Sequence, residues 1–248
     1  MKEEKKNGTF RIADVDRQDL KGNTLLHWAA EAGDVELVKD LLKNNARAGL
    51  TNFAGDTPFS KAAEAGKVDV LRAFDQTQYE WRDDMNYSRQ TPLYHAAKNG
   101  HLNVVMYLAR RGALSDMPRP MPELPLHVAI KNNHFDVAAY IICEGVMLGY
   151  RNNEDKTAGD LLLEKILDKT SSPKAILSAA RCLSVLKERG AGPRLELAQK
   201  EALRSVLLQA IEKVDKPSSH MKNFKLIQKG RLIKHINVGL DFLRSNFR

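Results

Sequence analysis

The stretch Gly22-Asn23-Thr24-Leu25-Leu26-His27-Trp28-Ala29-Ala30-Glu31-Ala32-Gly33 decides the reading, because the chain repeats it. Thr57-Pro58-Phe59 leads to Ala62-Ala63-Glu64-Ala65-Gly66, and Thr91-Pro92-Leu93 leads to Ala96-Ala97-Lys98-Asn99-Gly100. Leu124-Pro125-Leu126-His127-Val128-Ala129 then runs into Asn132-Asn133-His134. The step is 33 residues from Thr24 to Thr57, 34 to Thr91, and 33 from Pro92 to Pro125. Self-similarity at such a period marks stacked supersecondary units, each too small to bury its own apolar face.

Each unit carries its own local instructions. Thr24 suits a helix N-cap, because a side-chain oxygen can accept from backbone N–H groups of the first turn. The helix expected over Leu25–Ala32 is rich in alanine, which lets neighbouring units approach closely. Gly33 ends it where a left-handed turn is needed. Val35, Leu37, Val38, Leu41 and Leu42 follow at helical spacing and predict a second helix. In the second unit the helix Val68–Phe74 is followed not by Gly-Ala but by Gln76-Thr77-Gln78-Tyr79-Glu80-Trp81. The fourth opens with the proline-dense Met117-Pro118-Arg119-Pro120-Met121-Pro122.

These recurring positions resemble the ankyrin-repeat family over residues 19 to 150, with a weaker echo to Ala191. Departures are Ser60 and Tyr94 where the family has His, Leu124 where it has Thr, and Asn132-Asn133 in place of a turn glycine. The resemblance implies an all-α fold, an ankyrin-repeat solenoid of helix-turn-helix units with projecting loops, closed by C-terminal capping helices. The expected organisation is an N-terminal lead-in over 1–18, four repeats over 19–150, a degenerate fifth over 151–191, and a helical cap with a basic tail over 192–248. Thr157 keeps the step of 33 from Leu124, and Ser171-Ser172-Pro173 restarts a helix that ends near Arg189-Gly190-Ala191. Pro193 is expected to start the capping helix, with Leu195, Ala198, Ala202, Val206, Ala210 and Val214 on its apolar side.

The family is mostly one of protein-interaction modules, so the resemblance implies a protein partner held by the inner helices and the loop tips. By register, the inner positions include Trp28, Glu31, Lys61, Glu64, His95, Lys98 and Lys131, and the tips include Phe53, Tyr87, Arg89 and Met121. Aromatic residues, Met and Arg are the types that anchor interfaces once desolvated. Ankyrin proteins that intracellular bacteria deliver into host cells are similar in their degenerate array and divergent C-terminal extension, so a bacterial effector acting on host proteins is one expectation.

Little points to catalysis. His27 and His127 stand at a position where the family's histidine is a hydrogen-bonding structural residue, and His95 sits one place later. No catalytic set, cofactor site or metal site is expected: neither Cys143 nor Cys182 has zinc-ligand spacing, and no phosphate-binding glycine loop is present. The two cysteines read as buried, reduced thiols rather than a disulfide, which suits a cytoplasmic protein (host cytoplasm for a delivered effector). The first eight residues lack the apolar core of a secretory signal, and no apolar run approaches the roughly 20 residues that span a bilayer. A monomer is expected.

The net charge of +8 is concentrated at the end. From Pro217 to Arg248 there are seven basic residues, among them Lys222, Lys225, Lys229, Arg231 and Lys234, against the single acid Asp241. Three readings of this tail stand: a packed cap with its charges in water, a segment that meets an anionic membrane surface or an acidic partner, and a nucleic-acid contact. In the second and third the protein is an adaptor localised by its tail.

Overall fold

A computed structural model describes residues 15–81, 84–115, 121, 123–168, 170–193 and 195–215. Among them are eleven helices and no strand: α1 (Leu25–Ala32), α2 (Val35–Lys43), α3 (Pro58–Glu64), α4 (Val68–Phe74), α5 (Pro92–Lys98), α6 (Leu102–Ala109), α7 (Pro125–Lys131), α8 (Phe135–Glu144), α9 (Ala158–Leu167), α10 (Pro173–Glu188) and α11 (Leu197–Asp215). The chain divides into two compact units, one up to Pro125 and one from Leu126.

The first unit is three helix pairs. The inner helices α1, α3 and α5 pack side by side, and the outer helices α2, α4 and α6 lie behind them. Close packing of the inner row follows from paired alanines one period apart: Ala29-Ala30, Ala62-Ala63 and Ala96-Ala97 are all buried. Between the rows sit Leu26, Phe59 and Leu93 from the inner helices and Val38, Leu71, Phe74, Val104 and Leu108 from the outer ones.

The starts of the inner helices are built from the repeated threonine. Thr57 accepts from the Ser60 N–H and Thr91 from the Tyr94 N–H, each with proline as the first helical residue. Such caps contribute about 1 kcal/mol each. At the first repeat the third helical residue, His27, reaches back: its Nδ1 accepts from the Thr24 N–H at 3.0 Å. Nε2 therefore carries the proton and donates to the Asp56 carbonyl of the next repeat at 3.1 Å. Burial, partly offset by that hydrogen bond and the Asp56 charge, keeps the His27 ring below the ordinary histidine range, in keeping with this neutral tautomer. The turns after the inner helices are left-handed, at Gly33, Gly66 and Gly100. Asn133 takes the same conformation (φ 63°) where the turn glycine is missing, as asparagine does more readily than other side-chain-bearing residues.

Residues 76–81, where repeat two loses its usual ending, fold as an aromatic plug. Trp81 stacks on Phe59 with ring centroids 5.2 Å apart, and Phe74 meets Phe59 edge-on at 5.6 Å. Tyr79 lies against both Phe59 and Phe74 and donates its hydroxyl to Asp84, whose carboxylate also accepts from Thr57 at 2.7 Å.

The second unit holds α7 to α11. α10 packs on α8, α9 and α11. Its core includes Ile130, Val137, Ile141, Ile142, Leu162, Ile166, Leu177, Leu183 and Leu186. His127 Nε2 lies 3.1 Å from the Tyr150 carbonyl, and the Lys165 ammonium donates to the Lys131 carbonyl at the end of α7. Thr157 caps α9 in a reciprocal box with Asp160, and Ser172 caps α10.

Three expectations need correction here. Pro193 does not open the capping helix, which begins at Leu197. A Cβ added to Gly159 would come within 2.7 Å of the Pro193 ring, so the proline packs down on α9 instead. The buried side of α11 is Leu203, Leu207 and Ala210, while Ala198 and Ala202 face solvent. Bulky leucines outcompete small alanines for the core, since burial stabilises in proportion to apolar area. Finally, Cys143 is exposed, because its neighbours Ile141 and Ile142 turn the opposite face of α8 inward.

Both cysteines are free. Burial pushes the Cys182 thiol up to about 12, and its Sγ donates to the Phe135 carbonyl at 3.4 Å. Iodoacetamide at pH 8 is therefore expected to modify Cys143 and spare Cys182 in the folded protein, with both modified after denaturation. Equal rates of modification would show that α10 opens readily or is misplaced.

Candidate interaction surface

Before α1, α3, α5 and α9 the chain makes a projecting loop, and these described loops share one frame. Asp19, Asn52 and Asn86 in the first unit and Asn152 in the second each turn a side-chain oxygen onto two following backbone N–H groups, two and four residues on. A backbone hydrogen bond from the same residue to the carbonyl four residues later closes every loop. The fourth loop residue is left-handed each time: Gly22, Gly55, Arg89 and Asp155. The spacing of these Asx residues (33, 34 and twice 33) follows the same period as the threonine caps. This is Asx-turn chemistry recurring along the chain.

In the first unit adjacent loops are also joined. The Phe53 N–H donates to the Lys21 carbonyl at 3.0 Å and the Tyr87 N–H to the Ala54 carbonyl at 3.1 Å. Side chains add to this: Asn52 donates to Asn23 at 2.9 Å, and Asn86 to Asp56 at 3.0 Å. Close approach is the reason for glycine at position 55, where a Cβ would stand 2.7 Å from the Tyr87 backbone nitrogen. The three loops are thus a ladder rather than three separate projections.

The second residue of each loop in this ladder is apolar and open to water. Leu20 is 99% exposed, Phe53 68% and Tyr87 76%. Leu20 escapes the sequence reading, though it stands one period before Phe53. Trp28, 46% exposed on α1, donates its indole N–H to Asp19 at the base of the first loop, 3.1 Å away. Large exposed apolar residues held side by side are a feature that soluble proteins generally keep for interaction sites.

The charged positions sit as follows. Lys61 bridges Glu31 at 3.4 Å and Glu64 at 2.5 Å. Burial alone would lower its ammonium, but the hydrogen bond to Glu64 and the charges of both carboxylates outweigh this and hold it above the ordinary lysine range. Lys98 and Arg89 are exposed. In the second unit Lys131 pairs with Glu154 at 2.7 Å.

Two expected surface residues are corrected. His95 is 5% exposed, with Nε2 3.4 Å from the Asn86 amide and 3.5 Å from the Asp56 carboxylate, so the loop frame covers it. Burial works against the Asp56 carboxylate, but His95 and Asn86 together hold it below the usual range. Met121 is 3% exposed: its flexible thioether is drawn into the interior instead of standing at a tip. The tail positions Lys222, Lys225, Lys229, Arg231 and Lys234 lie outside the described residues. Among the described residues, no three His, Cys, Asp or Glu side chains come together to hold a metal ion, and no helix is long and apolar enough to cross a membrane.

A family model for ankyrin repeats (three copies) matches residues 6–76 and again 77–152, together more than half of the chain. The chain belongs to the ankyrin-repeat family. It is 32% identical over 103 residues to alpha-latroinsectotoxin-Lt1a of Latrodectus tredecimguttatus, covering 40% of this chain and 7% of the toxin. Human inversin is 32% identical over 100 residues (37% of this chain, 9% of inversin). The Drosophila melanogaster transient receptor potential cation channel subfamily A member 1 is 29% identical over 110 residues (43% and 9%). The chain thus matches less than a tenth of the length of these relatives. Ankyrin repeats are generally protein-protein interaction modules.

Proposed function

We propose that this ankyrin-repeat protein is a non-enzymatic binding module that takes a partner protein on the loop ladder of its first unit, with Leu20, Phe53 and Tyr87 as apolar anchors and Trp28 beside them. The observation that carries this reading is the row itself: three large apolar side chains, one per repeat, exposed at the same loop position on a frame that backbone and Asx hydrogen bonds hold. Glu31, Lys61 and Glu64 are already paired with one another, so they contribute orientation at the rim more than affinity. A cytoplasmic setting fits free cysteines, one of them exposed. The matched relatives above are animal proteins and have no bearing on the expectation of a bacterial effector.

The test is quantitative capture of a partner from lysate, followed by titration with the identified protein. Combined Leu20→Ala, Phe53→Ala and Tyr87→Ala substitutions are expected to weaken binding at least about 30-fold, the scale of losing one or more interface anchors. Stability should change by no more than about 0.5 kcal/mol per exposed substitution. Trp28→Ala should weaken the same partner. Undiminished binding by the triple variant would refute the assignment.

A further inference from the structure

The second unit carries a groove of about 450 Å³ between α9 and the start of α11, lined by Asp160, Leu163, Glu164, Leu167, Asp168 and Gln199. Its character is mixed by construction. Asp160, Glu164 and Asp168 recur every four residues, so they form one line along α9, and Leu163 and Leu167 form a second line beside it. Residues 154–168 carry five acidic side chains against Lys156 and Lys165, and Lys165 directs its ammonium to the Lys131 carbonyl. Lys156 bridges Glu154 and Glu164, and Arg151 pairs with Asp155. Asp160 and Asp168 are met by the hydroxyl and backbone donors of Thr157, Thr170 and Ser171, with no ion pair to a lysine or arginine shown for either among the described residues. The result is an apolar floor beside an acidic rail.

The chain's own continuation has the complementary pattern. Beyond Asp215, Lys222, Lys225, Lys229, Arg231 and Lys234 alternate with Phe224, Leu226, Ile227, Leu232 and Ile233, with no acidic residue until Asp241. The distance also fits. From Gln199 to the end of α11 is about 24 Å at 1.5 Å per residue. The ten residues from 216 to 225 span up to about 33 Å when extended. Lys225 can therefore return to the groove within one molecule, at the high effective concentration of a short tether.

We propose that residues 222–234 of this chain are the occupant of the α9 groove, with their basic side chains on Asp160, Glu164 and Asp168 and their apolar ones on Leu163 and Leu167. The tail then covers an acidic face of its own unit, and its charge is not free for an anionic surface. A second copy, an anionic membrane and nucleic acid are the competing occupants or targets that the test must separate.

Zero-length carbodiimide cross-linking of the full chain, read by mass spectrometry, distinguishes them. The expected result is intrachain links, in the monomer fraction, between tail lysines and Asp160, Glu164 or Asp168. Their yield should fall at least about fivefold between low salt and about 0.5 M salt, where screening shortens to a few ångströms. Lys225→Glu with Lys229→Glu should abolish the links at those positions without touching the described core. Adding Glu164→Lys should restore a link between positions 164 and 225 with reversed polarity. Links scattered over other carboxylates would overturn the proposal, as would links confined to a dimer fraction or failure of the charge swap. So would a tail that binds anionic vesicles or DNA while leaving the groove unlinked.

Discussion

Phe59→Ala is expected to destabilise the first unit by about 3–5 kcal/mol, the range for truncating a buried phenylalanine. Phe59 is fully buried, and its ring is the centre on which Phe74, Tyr79 and Trp81 converge. Removing it leaves a cavity with three aromatic walls, none of which can fill it without breaking another contact. Trp81 would lose its stacking partner, and Tyr79 one of its two ring contacts beside the Asp84 hydrogen bond that also holds the Thr57 cap. The loss should therefore spread from the core to the start of α3. Denaturant titration would measure it as a lower midpoint, and a loss under about 1 kcal/mol would mean the plug rearranges freely.

Leu108→Ala should follow, at about 2–5 kcal/mol. Leu108 is fully buried on α6, a helix that packs against both α5 and α4. Leu208 supplies the contrast. It is exposed on α11 beside the buried Leu207, and Leu208→Ala should shift stability by no more than about 0.5 kcal/mol. Equal effects from the two leucines would show the helix faces to be misread.

What could be read from the sequence was whatever one residue decides by itself. The threonine caps, the glycine turns and the paired alanines recur with the period, and the ends of α1 and α4 fall where the pattern places them. What could not be read was which surface covers which. Its position on α5 puts His95 on the open face, but a loop from its own repeat and one from the repeat before close over it. Met121 is buried and Cys143 exposed, each against expectation, because local sequence does not say which side of the chain meets the core. In α11 spacing alone allowed more than one apolar face, and leucine volume chose between them. The candidate site was half legible: Phe53, Tyr87 and Trp28 stood out as residue types, whereas Leu20 gains its meaning only from the frame that aligns it with them.

That frame separates two tasks that most surfaces combine. The loops keep their shape through Asx oxygens, backbone pairing and one left-handed residue, none of which involves the side chain at the second position. Asn153 stands there in the second unit, where Leu20, Phe53 and Tyr87 stand in the first, and the same turn forms around it. Substitution at this position is therefore expected to change the surface the ladder presents while leaving the loop frame in place. The ladder is in that sense a line of interchangeable type: its printed face can vary from repeat to repeat on one constant frame.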